Sequence, residues 1–206
     1  MPVDLPALLA PGRSALLLME CQEGVIGAGA HLGALAQAVA RHGTVDQIAR
    51  VLSAARRMRV PVFHCLMVQR ADRAGSTANC RLLALGRKGA PTLLRGTPAQ
   101  APVAALTPAD GEWVVDRHHG LTPFHATELD QLLRNLGVRT VVATGVSVNV
   151  GILGLALEAV NAGYQVVIPR EAVTGTPDDY VDAVLQHTLG LLATITSVTD
   201  VERIWS

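Results

Sequence analysis

Several runs of this chain are apolar with hardly a polar interruption, which leaves no regular face for water. Ser14–Met19 (SALLLM), Val60–Val68 (VPVFHCLMV), Thr140–Ala143 (TVVA) and Tyr164–Ile168 (YQVVI) are of this kind, and Trp113–Val115 is a shorter one. A strand with one wet face alternates polar and apolar residues, whereas a strand covered on both sides does not. Ala193–Val198 is a sixth candidate near the carboxyl terminus. The segments between the runs carry a helical period instead. Val45–Met58 places Val45, Ile48, Val51 or Leu52, and Ala55 on one face. Ala126–Leu136 repeats that spacing with Leu129, Leu132, Leu133 and Leu136, and Gly137 follows as a C-cap. Asn149–Ala162 is small and apolar all round, and Asp178–Leu192 follows Pro177. Strand and helix therefore alternate, which predicts an α/β fold of three layers around a mostly parallel sheet. Glu23–Gly43 and Gln69–Gly111 show no such pattern and are expected to be long irregular segments, of the kind that carries function.

Length and charge narrow what such a fold would do. The 206 residues fit a single domain spanning 1–206. Lys and Arg number 17, as do Asp and Glu, so the formal charge is zero. That excludes a basic footprint for nucleic acid, and no polybasic segment is present for an anionic membrane. No apolar run reaches the ~18 residues of a membrane span. Cys21, Cys65 and Cys80 are too few and too irregular for a disulfide scaffold or a zinc ribbon, which points to a reducing cytoplasm. The expected partner is a small molecule, with neither metal nor cofactor required.

Ligands in open parallel sheets bind beyond the carboxyl ends of the strands. There the chain places Glu20-Cys21-Gln22, then Gln69-Arg70, then Asp116-Arg117-His118-His119, then Gly145 to Gly151. A carboxylate at the end of a buried run is unfavourable unless paired or used, and Arg117 is a fitting partner for Glu20. Cys21 and Cys65 read as small buried hydrophobes, and His64 as a core histidine. His118, His119 and His125 read as loop histidines. Asn79, Arg81, Arg87, Lys88 and Arg95 make the long loop basic, which suits an acidic small molecule or a solvated loop equally.

Three blocks of the chain resemble the isochorismatase-like hydrolases, a superfamily that includes nicotinamidases and N-carbamoyl amidohydrolases. They are Ser14–Gly24, Val114–Leu133 and Thr140–Val167 (TVVATGVSVNVGILGLALEAVNAGYQVV). The resemblance implies a Rossmann-like, parallel six-stranded sheet flanked by helices and a homo-oligomer, dimer or tetramer. It also implies roles. Glu20 stands where the family's acid/base Asp stands, Arg117 where its Lys stands, and Gly151 where its nucleophilic Cys stands. Ser147 and Val148 fall at a turn, often with a non-proline cis bond after the valine, whose N–H groups form a cup with Gly151. Gln22 and Phe124 match positions that commonly face the pocket. A glycine in the nucleophile position resembles the true isochorismatases, which protonate an enol ether and need no thiolate. The resemblance thus implies a hydrolase that acts without a cysteine on a small, anionic metabolite. A plain Glu20–Arg117 ion pair in a degenerate, ligand-binding or regulatory family member is the alternative.

Overall fold

A computed structural model describes residues 3–30, 33–88 and 92–206; residues 31–32 and 89–91, inside the two segments expected to be irregular, lie outside them. The apolar runs form β1 (Ser14–Met19), β2 (Val62–Met67), β3 (Trp113–Arg117), β4 (Thr140–Val146), β5 (Gln165–Pro169) and β7 (Thr194–Thr196), with a two-residue β6 (Val173–Thr174) beside β4. Every pairing is parallel and the order is β3-β2-β1-β4-β5-β7. The sheet thus has seven strands, one short strand more than the six read from the sequence. All six residues of β1 are buried, because β2 and β4 bond its two edges and helices cover both faces.

The pleat sends alternate residues to opposite cores. Leu16 and Leu18 meet α3 (Gly33–Arg41), α4 (Thr44–Arg57) and α10 (Val198–Ile204) on one side. Ala15, Leu17 and Met19 meet α6 (Leu129–Asn135), α7 (Leu153–Asn161) and α8 (Asp178–Val184) on the other. In α4, Ile48, Val51, Leu52 and Ala55 are buried as the spacing predicts. Glu23–Gly43 is not irregular throughout: α3 occupies its second half, with Leu35, Ala38 and Val39 buried at helical spacing. Gly145 pairs with Met19 at a φ of +105°, and a Cβ there would lie 2.2 Å from the Met19 carbonyl oxygen. Only glycine lets β4 approach β1 at this point.

His64 is fully buried in β2, and its Nε2 lies 2.9 Å from Glu112 while Nδ1 has no partner among the described residues. Glu112 also accepts two bonds from Arg56 of α4 and one from the Ala109 N–H. Burial alone would raise the Glu112 carboxyl, but Arg56, the Ala109 N–H and His64 together bring it down to about 2. Burial in turn lowers His64, so the ring is neutral at pH 7.

The acid limb of stability follows. The Glu112 contribution is complete above its ordinary 4.5 and fades as the pH falls toward 2, while His64 adds a loss below its ordinary 6.5. Glu112→Gln is expected to cost about 1–3 kcal/mol at pH 7 and to flatten the dependence of the urea midpoint on pH between 2 and 4.5. An unchanged acid limb in the variant would contradict this assignment.

Candidate active site

The order of the strands reverses between β1 and β4, since the chain builds outward from β1 to β3 and then returns to the other edge of β1. The crevice at such a switch point is where doubly wound sheets bind ligands. Glu20 leaves β1 there, and Ser147 to Gly151 leave β4 there. Glu20 has a φ of +52°, the left-handed region that a side chain enters at some cost. Its N–H donates to the Cys65 carbonyl, which helps hold it in place at the end of the sheet.

Arg117, 97 residues further along the chain, ends β3 and donates through Nη2 to Glu20 Oε1. Its side chain is 3% exposed and that of Glu20 is 19% exposed. Arg117 Nε donates to the Gly120 carbonyl at 3.1 Å. Nη1 is buried with no acceptor among the described residues. The sequence-predicted pair is thus in direct contact, with one guanidinium donor left over.

The Val146–Ser147 peptide is cis, as the resemblance implies. A π-turn, Val148–Ile152, follows and runs directly into α7. The Ser147 carbonyl accepts from Val150 and Ile152, and the first N–H groups of the turn have no partner within the helix. Val148 is buried and Ser147 half-buried. A Cβ on Gly151 would lie 2.8 Å from the Val146 carbonyl oxygen and 3.2 Å from Met19 Cε. A side chain at 151 would therefore require the turn to shift.

Neither buried thiol takes the nucleophile's place. Cys21 is buried on the face opposite Met19, and burial pushes its thiol well above the ordinary range. Burial likewise pushes Cys65 up to about 12, against the pull of Arg117. Both remain thiols at neutral pH, and a thiol is not the nucleophilic form.

The other expected residues divide. Phe124 is half-buried against the core under α6 and α7, and its ring lies 5.9 Å from that of Tyr164. Gln22 is fully buried. Its carboxamide donates to the Met67 and Gln100 carbonyls at 2.9 and 2.8 Å and accepts from the Met67 N–H at 2.8 Å. All three bonds go to backbone, tying the segment after Gly96 to the end of β2. Gln69 holds the same segment further upstream, accepting from Thr92 and Leu93 N–H. That clamp was missed in the sequence; a glutamine directly after an apolar run is its only local sign.

His118 and His125 are exposed, and His119 lies 3.4 Å from Thr77 Oγ1. Among the described residues no group of three or more His, Cys, Asp or Glu side chains is placed to hold a metal ion. No helix among them is long and apolar enough to cross a membrane. An open cleft of about 550 Å³ lies beyond β2 and β3, lined by residues that include Val68, Arg70, Arg95 and His118 but not by Glu20, Arg117 or Gly151.

The isochorismatase domain model matches residues 14–200. N-carbamoylsarcosine amidase of Arthrobacter is 29% identical over 149 residues, covering 70% of this chain and 53% of that protein. A secreted isochorismatase effector of Verticillium dahliae is 32% identical over 95 residues, 46% of this chain and 50% of the effector. The chain spans about half the length of these curated relatives. An isochorismatase family protein from Desulfovibrio vulgaris superposes with a TM-score of 0.81 at 28% identity, covering 93% of this chain and 97% of that one. A cysteine hydrolase from Pseudomonas syringae shares the fold with a TM-score of 0.83 at 23% identity, over 100% and 95% of the two chains.

Adding a side chain at 151 is expected to be unfavourable in itself. Gly151→Ala and Gly151→Cys should each lose about 1–3 kcal/mol, seen as a fall of about 2–12 °C in Tm for a chain of this size. Unchanged Tm in both variants would show that the turn opens freely to admit a Cβ.

Proposed function

The chain belongs to the isochorismatase family, and from that membership we propose that it is a hydrolase working without a cysteine nucleophile on a small, anionic metabolite. The observation that carries the reading is the state of Arg117. A buried donor without an acceptor costs about 1–3 kcal/mol, and Arg117 Nη1 is such a donor. Its neighbour Glu20 sits in the left-handed region. Two unfavourable features at one contact are what a maintained site displays, and a structural ion pair has no use for either.

The chemistry that suits these groups is hydrolysis of a vinyl ether bearing a carboxylate. The substrate carboxylate accepts from Arg117, whose guanidinium stays charged throughout. By taking the guanidinium it releases Glu20 from its ion pair, and the freed carboxylate takes up a proton from solvent, which it then hands on. That proton adds to the terminal carbon of the enol ether, and the electron pair of the C=C bond forms the new C–H bond. The resulting oxocarbenium ion takes up water, whose proton returns to Glu20. Collapse of the hemiketal then breaks the C–O bond, giving an alcohol and a 2-oxo acid. The N–H groups of Val148 and its neighbours, with Ser147 and Gly151, supply the polar cup for the developing alcohol oxygen. No thioester step is available, because position 151 carries no thiol.

The direct Glu20–Arg117 contact supports a second reading, a degenerate family member that binds a ligand for regulation. Two further parts of the proposal concern setting. Free thiols at all three cysteines support a reducing, cytoplasmic location. Exposed Leu157, Val160 and Leu191 support assembly as a homo-oligomer, a dimer or tetramer.

Isochorismate and simple amides separate these readings. The wild-type protein is expected to release pyruvate from isochorismate, measured by coupling to lactate dehydrogenase, and to leave amides intact. Glu20→Ala should lower that rate by about 10²–10⁴-fold. Equal rates in the two proteins overturn the role of Glu20. A ligand-induced rise in Tm with no product favours the regulatory reading.

A further inference from the structure

We propose that the open cleft beyond β2 and β3 is a binding site for small dicarboxylates, seated between Arg70 and Arg95. The cleft is separate from the Glu20–Arg117 site. Arg117 and Asp116 are successive residues of β3 and point to opposite faces of the sheet. Arg117 lies on the side of Val115, Phe63 and Cys65, and Asp116 lies on the side of the cleft and its partner Arg95. At about 550 Å³ the cleft falls in the range of small-ligand sites, with Val68 and Leu94 as apolar surface and His118 as a further polar wall.

Both arginines are held in place and both retain donors. Arg70 meets Asp72 through Nε and Nη2 at 2.9 and 2.7 Å, which leaves Nη1. Asp72 is itself fixed by the Ala74 N–H at 3.0 Å, and the turn closes through Arg73 N–H to the Arg70 carbonyl. Arg95 meets Asp116 through Nη1 at 2.5 Å, which leaves Nε and Nη2. It rises from a backbone pinned to the end of β2, since Gln69 accepts from Thr92 and Leu93 and donates its own N–H to the Leu93 carbonyl.

Exposed ion pairs of this kind add little stability; Arg95 is 63% exposed and Arg70 58%. Their physical effect is orientation. A guanidinium fixed along one edge presents its remaining N–H groups in a planar fork, the geometry that recognises a carboxylate. Arg70, held through two nitrogens, has lost part of its rotamer freedom before the ligand arrives, and Arg95 is tethered through Nη1. One such fork stands on the β2 exit and another on the facing strap. Two acidic groups on one small ligand match that arrangement.

Isothermal titration of the full chain with succinate at low ionic strength tests the proposal. Saturable binding is expected, with acetate at least about tenfold weaker, a difference of about 1.4 kcal/mol. Arg70→Gln and Arg95→Gln should each weaken succinate by about tenfold or more. Arg95→Gln leaves Asp116 without its cation, so Arg70→Gln, exposed at both ends of its pair, decides if the other variant misfolds. Glu20→Gln should bind succinate as the wild type does. Absence of saturable binding, wild-type affinity in Arg70→Gln, or loss of affinity in Glu20→Gln would each overturn the proposal. Inorganic phosphate binding as tightly as succinate would overturn the dicarboxylate assignment. Failure to turn over isochorismate leaves these outcomes untouched.

Discussion

The strand β1 is the constraint on which the other features depend. It is bonded on both edges and covered on both faces, so it has no freedom to shift in register or tilt. A one-residue slip would exchange its two cores. Gly145 brings β4 against it more closely than any side chain permits, and this fixes where β4 ends relative to Met19. The residues that follow the two strands, Glu20 on one and Ser147 on the other, are therefore placed by the sheet itself. The strand order reverses at the same point, which is where doubly wound sheets bind their ligands.

At the ends of β1, β3 and β4, what is missing constrains the proposed chemistry as much as what is present. Amide hydrolysis through a thioester requires a thiolate at the start of a helix beside a cation. The helix start and the cation are both here. The thiol is not, and the turn has drawn Gly151 under the Val146 carbonyl so that no Cβ fits without movement. Glu20 and Arg117 keep the charges of an acid/base and its counter-ion. The arginine differs from a lysine in offering several donors from one charge, so it pairs with Glu20, holds the Gly120 carbonyl and still has Nη1 for another acceptor.

The segment from Thr92 to Val103 shows how a long connection is held against strand ends without secondary structure of its own. Two buried or half-buried glutamines, Gln22 and Gln69, bond its backbone to the ends of β1 and β2. Glu23 and Gly24 N–H groups donate to Ala101 and Ala99, and Val103 N–H donates to Cys21. The strap answers the polar groups that strand ends leave exposed. It also carries Arg95 to the rim of the cleft beside Asp116.

Much of the architecture was legible in the sequence, because burial on both faces demands continuous apolar runs. β1 matches its predicted bounds, and α4 buries Ile48, Val51, Leu52 and Ala55 as predicted, whereas α6 buries Leu129 and Leu133 but leaves Leu132 half-buried and Leu136 exposed. The second half of Glu23–Gly43 escaped notice because alanines make a weak helical stripe. β3 runs on to Arg117 because its terminal polar residues find partners, a fact no apolar pattern records. At the site, the sequence by itself determined which charges stand at the strand ends and that position 151 has no nucleophile. Only the tertiary structure decided that Glu20 and Arg117 touch, that Gln22 is committed to backbone, and that a side chain at 151 would require the turn to shift. Each of these rests on a partner brought close by the parallel sheet from far along the chain, and no local spacing encodes such a partner.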